Sequence, residues 1–592
     1  MQKSRFRNQG LAMLAVAGAL AFGGGAMRSI AQELPASTLP APKAMNPHFA
    51  ASCDALSGNV SAAIGRIESA RPGDAMLPML PGQRAAIALP AHCDVHGILQ
   101  ERIGENGQHY AIRYHMRLPQ DWNGRFLFQG GGGTNGEVGD ASGPAGIGVA
   151  PAIARGFAVI SQDSGHDNRL NVDPDRGGTA VFGTDPQARA NYGYASLPLA
   201  TRAGKALVTA FYGKQPDHSY FFGCSKGGQE GMALAHRFPK EFDGIVAEAP
   251  GFALPRAALS QAWSIQQFAA LAQRQSLLPA TPATIARTFS PADLGLVHGA
   301  ILAGCDAADG LVDGLTSNLR ACTTATVMPH LRQLTCKGDK TTTCLASDQV
   351  DTLARVMAGP KNRQGAPLYS RWAWDAGVGS PMWSAWRLGT PSQPARDITL
   401  GGASLPTVFS VPPQAVQGTP DALLAFELGL RFPEAEQRIL NRTAQFPHSA
   451  WEDIAMRSPD IDGFLARGGK LLVPHGAADP VFSVEDSIAW WDEVKARYGA
   501  RTDDLVKLFV VPGMAHCGGG PTTDQFDMLT ALVAWVERGA APQNVEATAG
   551  PNAPWPGRTR PLCAWPRFAA YDKGDPNRAS SFVCKLDATA AR

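Results

Sequence analysis

Three short stretches hold residue types that together can carry out acyl transfer. The stretch "GCSKGG" (223–228) sets Ser225 in a G-x-S-x-G pattern, after the strand-like "SYFFG" and before an amphipathic helical pattern over 227–238. A strand, a tight glycine turn and a helix in that order lift a serine hydroxyl clear of a sheet. Serine is a weak nucleophile until a base takes its proton and an acid orients the base. Two later strand-like runs end in "HGAADPVFS" and "GMAHCGGG", supplying Asp479 and then His516. The chain order Ser, Asp, His is that of an α/β-hydrolase. Asp163 and His475 are weaker alternatives, because Asp163 precedes the serine and His475 lies too close to the acid to be its separate partner.

Cys224 precedes the nucleophile and Cys517 follows the base. If Ser225 and His516 meet, their neighbours also come close, within the few ångströms a disulfide needs; a Cys224–Cys517 bond is predicted. A tetrahedral oxyanion requires backbone N–H donors. One is expected from Lys226 and the other from the glycine loop "FQGGGGTNG" (128–136), at Gly133 with Gly132 as the near rival. Gly131, Gly133 and Gly136 also spell G-x-G-x-x-G, but "EVGDASGPAGIG" is too broken to be the helix that a dinucleotide site requires. No organic cofactor is expected.

These residues need a scaffold. Strand-like runs at 125–129, 157–163, 219–223 and 243–250 alternate with helical patterns at 199–213 and 227–238. That alternation predicts an α/β fold, a mostly parallel sheet flanked by helices. From 253 to 459 it stops, and strand-like runs return at 469–480 and 505–517. The expected organisation is a hydrolase domain in two parts, 32–252 and 460–592, around a large insertion at 253–459. Residues 32–50, rich in Pro and Ala, read as a flexible leader.

The 53 basic and 51 acidic residues of the 592 nearly cancel, which gives no reason to expect nucleic acid or an acidic membrane as partner. Lys3, Arg5 and Arg7 precede the apolar run 11–22 and a small-residue cleavage site at Ala31, so 1–31 reads as a signal peptide. A run of that length is too short to span a bilayer. Export leads to a periplasmic or secreted protein, in which ten cysteines suggest five disulfides. In "CDAADGLVDGL" (305–315), Asp306, Asp309 and Asp313 share one loop. A calcium ion would gather them, with carbonyls of Leu311 and Leu315 as further oxygens; a solvated acidic turn is the alternative.

Together "GCSKGG", "HGAADPVF", "PGMAHCGGGP" and the acidic loop make a sequence that resembles the tannase and feruloyl esterase family of α/β-hydrolases. Within it, "GGGGTNG", "GHDN" (165–168), "DPQAR" (185–189), "LYSRWAWDAG" (368–377) and "FDMLTALVAWVERG" (526–539) look most like hydrolases of terephthalate half-esters. The resemblance implies a serine esterase for small esters of aromatic acids, with feruloyl or gallate esters as the alternative substrates; a monomer is expected. It implies that 253–459 is a lid carrying a structural calcium, and that the remaining cysteines pair as Cys53–Cys93, Cys305–Cys322, Cys336–Cys344 and Cys563–Cys584. Trp386, Leu254 and Phe482 would form flat apolar walls. Arg396 would pair with a substrate carboxylate, or else be an exposed arginine on a mobile loop. The stretch "DITLGGASL" after Arg396 has no aromatic, where a half-ester enzyme is expected to place one. A rival from another class is a binding protein on an inactive hydrolase scaffold, which has no need of serine, acid and base together.

Overall fold

Short apolar runs build the centre of a ten-stranded sheet. The strands are β1 Val60–Ser61, β2 Gly65–Gly73, β3 His92–Ile103, β4 His109–Pro119, β5 Arg125–Gln129, β6 Ala158–Gln162, β7 His218–Cys224, β8 Gly244–Glu248, β9 Lys470–Gly476 and β10 Val506–Val511. In space they run β10-β9-β8-β7-β5-β6-β4-β3-β2-β1. Neighbours from β10 to β6 are parallel, and those from β6 to β1 are antiparallel. The computed structural model describes residues 48–73 and 89–587, with the backbone of three two-residue strands, Ala44–Met45, Met76–Leu77 and Ile87–Ala88. The signal-peptide expectation for 1–31 lies outside these residues.

The parallel strands read as unbroken apolar runs because helices cover both faces: β6 and β8 are buried at every position. The main helices are α1 Ser196–Tyr212, α2 Lys226–Arg237, α3 Leu254–Arg274, α4 Pro381–Arg387, α5 Val484–Tyr498 and α6 Met528–Arg538. The antiparallel half was not legible in the sequence. In β3, "HCDVHGILQERI", charged and polar side chains alternate with apolar ones, so no apolar run marks the strand. The flexible-leader reading of 32–50 is corrected at its end, where Ala44–Met45 pairs with Asp121–Trp122 and a helix begins at Phe49.

Between β8 and β9 the chain contributes helices and loops only, and no strand to the sheet. Its core is continuous with the hydrolase part: Leu259, Ile265, Phe268, Trp372 and Trp386 cluster with Phe182, Tyr192, Val481 and Phe482. All described residues belong to one compact unit. All ten cysteines are paired, as Cys53–Cys93, Cys224–Cys517, Cys305–Cys322, Cys336–Cys344 and Cys563–Cys584.

One buried ion pair orders the insertion near the sheet. Arg387, at the end of α4, meets Asp397 at 3.1 Å, with side chains 1% and 0% exposed. The guanidinium also donates to Ser264 on α3 and lies 3.8 Å from the ring centre of Trp372. Removing one partner of a buried pair strands the other charge in low dielectric, at a cost of about 3–5 kcal/mol. Arg387→Leu is therefore expected to lower the unfolding free energy by about that much, and Arg387→Leu/Asp397→Leu by much less. Urea denaturation of the two variants makes the comparison.

Candidate active site

The order of strands brings the chemistry to one edge. The chain runs from β5 to β6 on one side, then crosses to β7 on the other, so the loops after β5 and β7 emerge side by side. Such a reversal opens a crevice at the carboxyl ends of the strands. Ser225 follows β7 directly and precedes α2, with φ 66° and ψ −120°. A left-handed φ is strained for a serine, and neighbouring glycines permit the approach that holds it. A Cβ on Gly223 would lie 2.7 Å from the carbonyl carbon of Gly227, and one on Gly227 would lie 2.8 Å from the carbonyl oxygen of Gly131.

His516 lies beyond β10 and Asp479 beyond β9. His516 Nδ1 is 2.7 Å from Asp479 Oδ2, and His516 Nε2 is 2.7 Å from Ser225 Oγ. A carboxylate only accepts, so Nδ1 carries the hydrogen and Nε2 accepts from the serine hydroxyl. Asp479 Oδ1 accepts from the Val481 and Phe482 amides at 2.7 and 3.1 Å. Burial opposes its charge, but His516 and His475 beside it outweigh burial and hold the carboxyl well below its usual range. His475 is no base. Its Nε2 stands 3.3 Å from Asp479 Oδ2 and its Nδ1 is 2.7 Å from Ser487, which fixes the acid in place. Asp163 is elsewhere in the network, accepting from the Arg113 and Gly165 amides. Cys224 and Cys517 are bonded with Cα atoms 6.1 Å apart, joining the serine turn to the histidine loop.

Lys226 and Gly133 line the pocket beside Ser225, and Gly132 does not. The Lys226 amide belongs to the first turn of α2, whose N–H groups have no carbonyl within the helix to bond. A residue the sequence did not single out holds this corner. Glu230 is fully buried on α2. Its carboxylate accepts from Gly131 N at 2.9 Å, Asn135 Nδ2 at 2.9 Å, Ser164 Oγ at 3.3 Å and Lys226 Nζ at 3.0 Å. It ties the glycine loop to α2; its position five after Ser225 was the only signal.

Leu254, Trp386 and Phe482 line the pocket as expected. Trp386 and Phe482 stand edge-on to His516, with ring centres 5.6 and 5.4 Å away. Arg396 is exposed and is not a wall; its guanidinium lies 5.4 Å from the ring centre of Trp386. Tyr192, Leu400, Ser404 and Phe409 also line it and were not foreseen. The acidic loop lies behind the histidine loop. Asp306 and Asp309 are buried, and Asp309 Oδ2 has no hydrogen-bond partner. Asp313 pairs with Arg560 from a C-terminal hairpin. Just beyond, Thr316 donates to Asp375, which accepts from Gly513 N at 3.1 Å, three residues before His516.

An α/β-hydrolase with serine, histidine and aspartate linked in this way has the apparatus of ester hydrolysis. The tannase and feruloyl esterase family matches residues 93–585, and the chain belongs to it. It is a carboxylic ester hydrolase of that family. It is 43% identical over 525 residues to mono(2-hydroxyethyl) terephthalate hydrolase of Piscinibacter sakaiensis, covering 85% of this chain and 86% of the relative. It is 29% identical over 511 residues to a probable feruloyl esterase of Arthroderma benhamiae, covering 84% and 86%. The fold matches the crystal structure of feruloyl esterase B from Aspergillus oryzae with a TM-score of 0.69 at 23% identity, over 91% of this chain and 100% of that one. Tannin acyl hydrolase from Aspergillus niger matches with a TM-score of 0.65 at 20% identity, over 91% and 96%.

Two measurements test this geometry. Replacing Cys224 and Cys517 together by alanine is expected to cost about 2–5 kcal/mol of stability. It should also lower kcat more than it raises KM, since the bond sets the distance between Ser225 and His516. Glu248, whose carbonyl accepts from Ser225 N at 3.0 Å, has a buried side chain. Burial, then the Asp479 and Asp524 carboxylates, push its carboxyl from 4.5 up to about 8. The folded state thus binds the extra proton between these values, and stability falls as pH rises through that window. Glu248→Gln should flatten the fall between pH 5 and 8, read as unfolding free energy against pH.

Proposed function

We propose that the protein is an exported serine esterase that hydrolyses small esters of aromatic carboxylic acids. The observation that carries this reading is the continuous chain Asp479–His516–Ser225, with both links at 2.7 Å. His516 Nε2 takes the Ser225 proton as Oγ attacks the ester carbonyl, and Asp479 stabilises the imidazolium. The amides of Lys226 and Gly133 donate to the oxyanion. The tetrahedral intermediate collapses as His516 returns the proton to the departing alcohol. Water, activated by the same histidine, then attacks the acyl-serine and releases the acid. Trp386 and Phe482 beside His516 keep bulk water from the imidazole.

The aromatic acid would lie between Leu254, Trp386, Phe482 and Phe409, and a free carboxylate on its far side would meet Arg396 over Trp386. The relative that hydrolyses mono(2-hydroxyethyl) terephthalate makes that half-ester the first substrate to test. Feruloyl and gallate esters form the second reading. It is favoured by Leu400 and Gly401, which line the pocket where an aromatic was expected in a half-ester enzyme. In this reading 253–459 is a lid over the site, acting in a monomer after a signal peptide at 1–31 is removed. The five disulfides favour an oxidising compartment, periplasmic or extracellular. Among the described residues no helix is long and apolar enough to cross a membrane.

The acidic loop fits a hard cation, because Asp309 Oδ2 is buried without a donor. Asp306, Asp309 and Asp313, with the carbonyls of Leu311 and Leu315, would hold Ca²⁺. The ion would supply charge balance and rigidity behind the histidine loop, through Thr316, Asp375 and Gly513.

Turnover of p-nitrophenyl acetate is expected to fall by at least a thousandfold in Ser225→Ala with the fold intact; activity that persists contradicts the mechanism. Rates on the terephthalate half-ester, methyl ferulate and methyl gallate in wild type and Arg396→Ala separate the two substrate readings. Loss confined to the half-ester assigns Arg396 to the carboxylate, and indifference moves the substrate to plant phenolics. Treatment with EGTA should lower Tm, and Ca²⁺ but not Mg²⁺ should restore it.

A further inference from the structure

Far from the serine in sequence, β3 carries His92, Asp94 and His96 at alternate positions, which a strand places on one face. Across the ladder, His115 of β4 is the direct partner of His96, and Arg117 of Asp94. His96 Nε2 lies 2.9 Å from Asp94 Oδ1, and His115 Nε2 lies 3.1 Å from Asp94 Oδ2. The two imidazoles stack with centres 4.2 Å apart. One ligand atom from each of Asp94, His96 and His115 lies within 4.8 Å of the others.

The hydrogen-bond inventory of this cluster does not close with neutral histidines. His115 Nδ1 faces the carbonyl of Gly139 at 3.2 Å, and its Nε2 faces the Asp94 carboxylate. Both neighbours only accept, whereas a neutral imidazole has one N–H. His92 shows the same conflict. Its Nδ1 is 2.7 Å from the Pro90 carbonyl, which leaves a lone pair on Nε2. That nitrogen is 3.6 Å from Asp94 Oδ2, in a side chain that is 0% exposed, and has no hydrogen-bond partner. Lone pairs therefore converge on a carboxylate, and positive charge beyond that of Arg117, whose Nε is 3.2 Å from Asp94 Oδ2, is needed between them.

We propose that Asp94, His96 and His115 bind a divalent transition-metal ion of the zinc class, with a fourth position open to solvent. Imidazole nitrogens and a carboxylate suit a borderline ion, whereas calcium prefers oxygen throughout. The second shell has the form such sites use: His115 gives its other N–H to a backbone carbonyl, which fixes the ring with Nε2 towards the metal. Access exists, since the His96 side chain is 43% exposed. Cys93, between His92 and Asp94 on the opposite face, is bonded to Cys53 and holds the strand from behind. The site is independent of the esterase mechanism. It clamps β3 to β4 at the antiparallel end of the sheet.

The test uses the full mature chain without a purification tag, stripped with chelator and returned to saturating Ca²⁺ so that any calcium site is filled. Zn²⁺ is titrated by calorimetry, and Co²⁺ by its visible d–d spectrum. One Zn²⁺ per chain with a dissociation constant in the micromolar range or tighter is expected, together with four- or five-coordinate Co²⁺ bands. Tm should rise with Zn²⁺. His96→Ala, at the exposed edge, and Asp94→Asn should each weaken binding at least tenfold and remove the Tm response. Retained p-nitrophenyl acetate turnover in His96→Ala shows that the fold survives. Binding weaker than millimolar in the wild type, or an equivalent of Zn²⁺ that persists unchanged in both variants, overturns the proposal and leaves the cluster as a protonated histidine–aspartate network.

Discussion

Everything at the site depends on one constraint, the parallel register of β5, β7, β8, β9 and β10. A parallel sheet sends every strand's carboxyl end to the same edge, so residues hundreds apart in sequence leave it as neighbours. The glycine loop leaves β5, Ser225 leaves β7, Asp479 follows β9 and His516 follows β10. The sheet sets separations to within a few ångströms, and the local contacts supply the rest. Ser225 is held at φ 66°, a conformation that costs about 1–3 kcal/mol and persists only where surrounding structure over-determines it. Here the Cys224–Cys517 bond, the glycine contacts and the Glu230 carboxylate do so together.

The site also shows how buried charge is used when it is paired. Glu230 has four donors, Asp479 has two amides and two histidines, and Arg387 meets Asp397. Each network fixes the position of a backbone or ring that faces the pocket, the glycine loop, the imidazole and the α4 end bearing Trp386 respectively. Low dielectric makes such networks rigid when complete and costly when broken. The insertion between β8 and β9 takes part in these contacts. It contributes Trp386 beside His516, and through Asp375 it supports the backbone leading to the histidine.

The legibility of these features followed from how local their signals were. The serine turn and the two later strand ends each lie within a dozen residues, Cys224 and Cys517 adjoin Ser225 and His516, and the apolar runs of β5 to β10 stand out because both faces are buried. β2, β3 and β4 were not legible, since their polar face breaks the run, and the His92, Asp94 and His96 pattern on β3 went unread with them. Glu230 read as an ordinary helical glutamate, because its partners Gly131, Asn135 and Ser164 come from other elements. Phe409 and Tyr192 entered the pocket by the same kind of convergence.

By itself, the sequence determined the chemistry on offer: a serine in a strained-turn motif, an acid and a base in hydrolase order, and cysteines placed to lock them. Those depend on residue type and short spacing, which the chain carries along its length. Only the tertiary structure decided which glycine lines the pocket beside Ser225, that His475 stands against Asp479, that Arg396 sits over Trp386 at an exposed position, and that His92 and His96 of β3 and His115 and Arg117 of β4 converge on the Asp94 carboxylate. These are distances between elements far apart in sequence. They are set by strand register and by which side chains remain after packing has closed, and no local pattern encodes either.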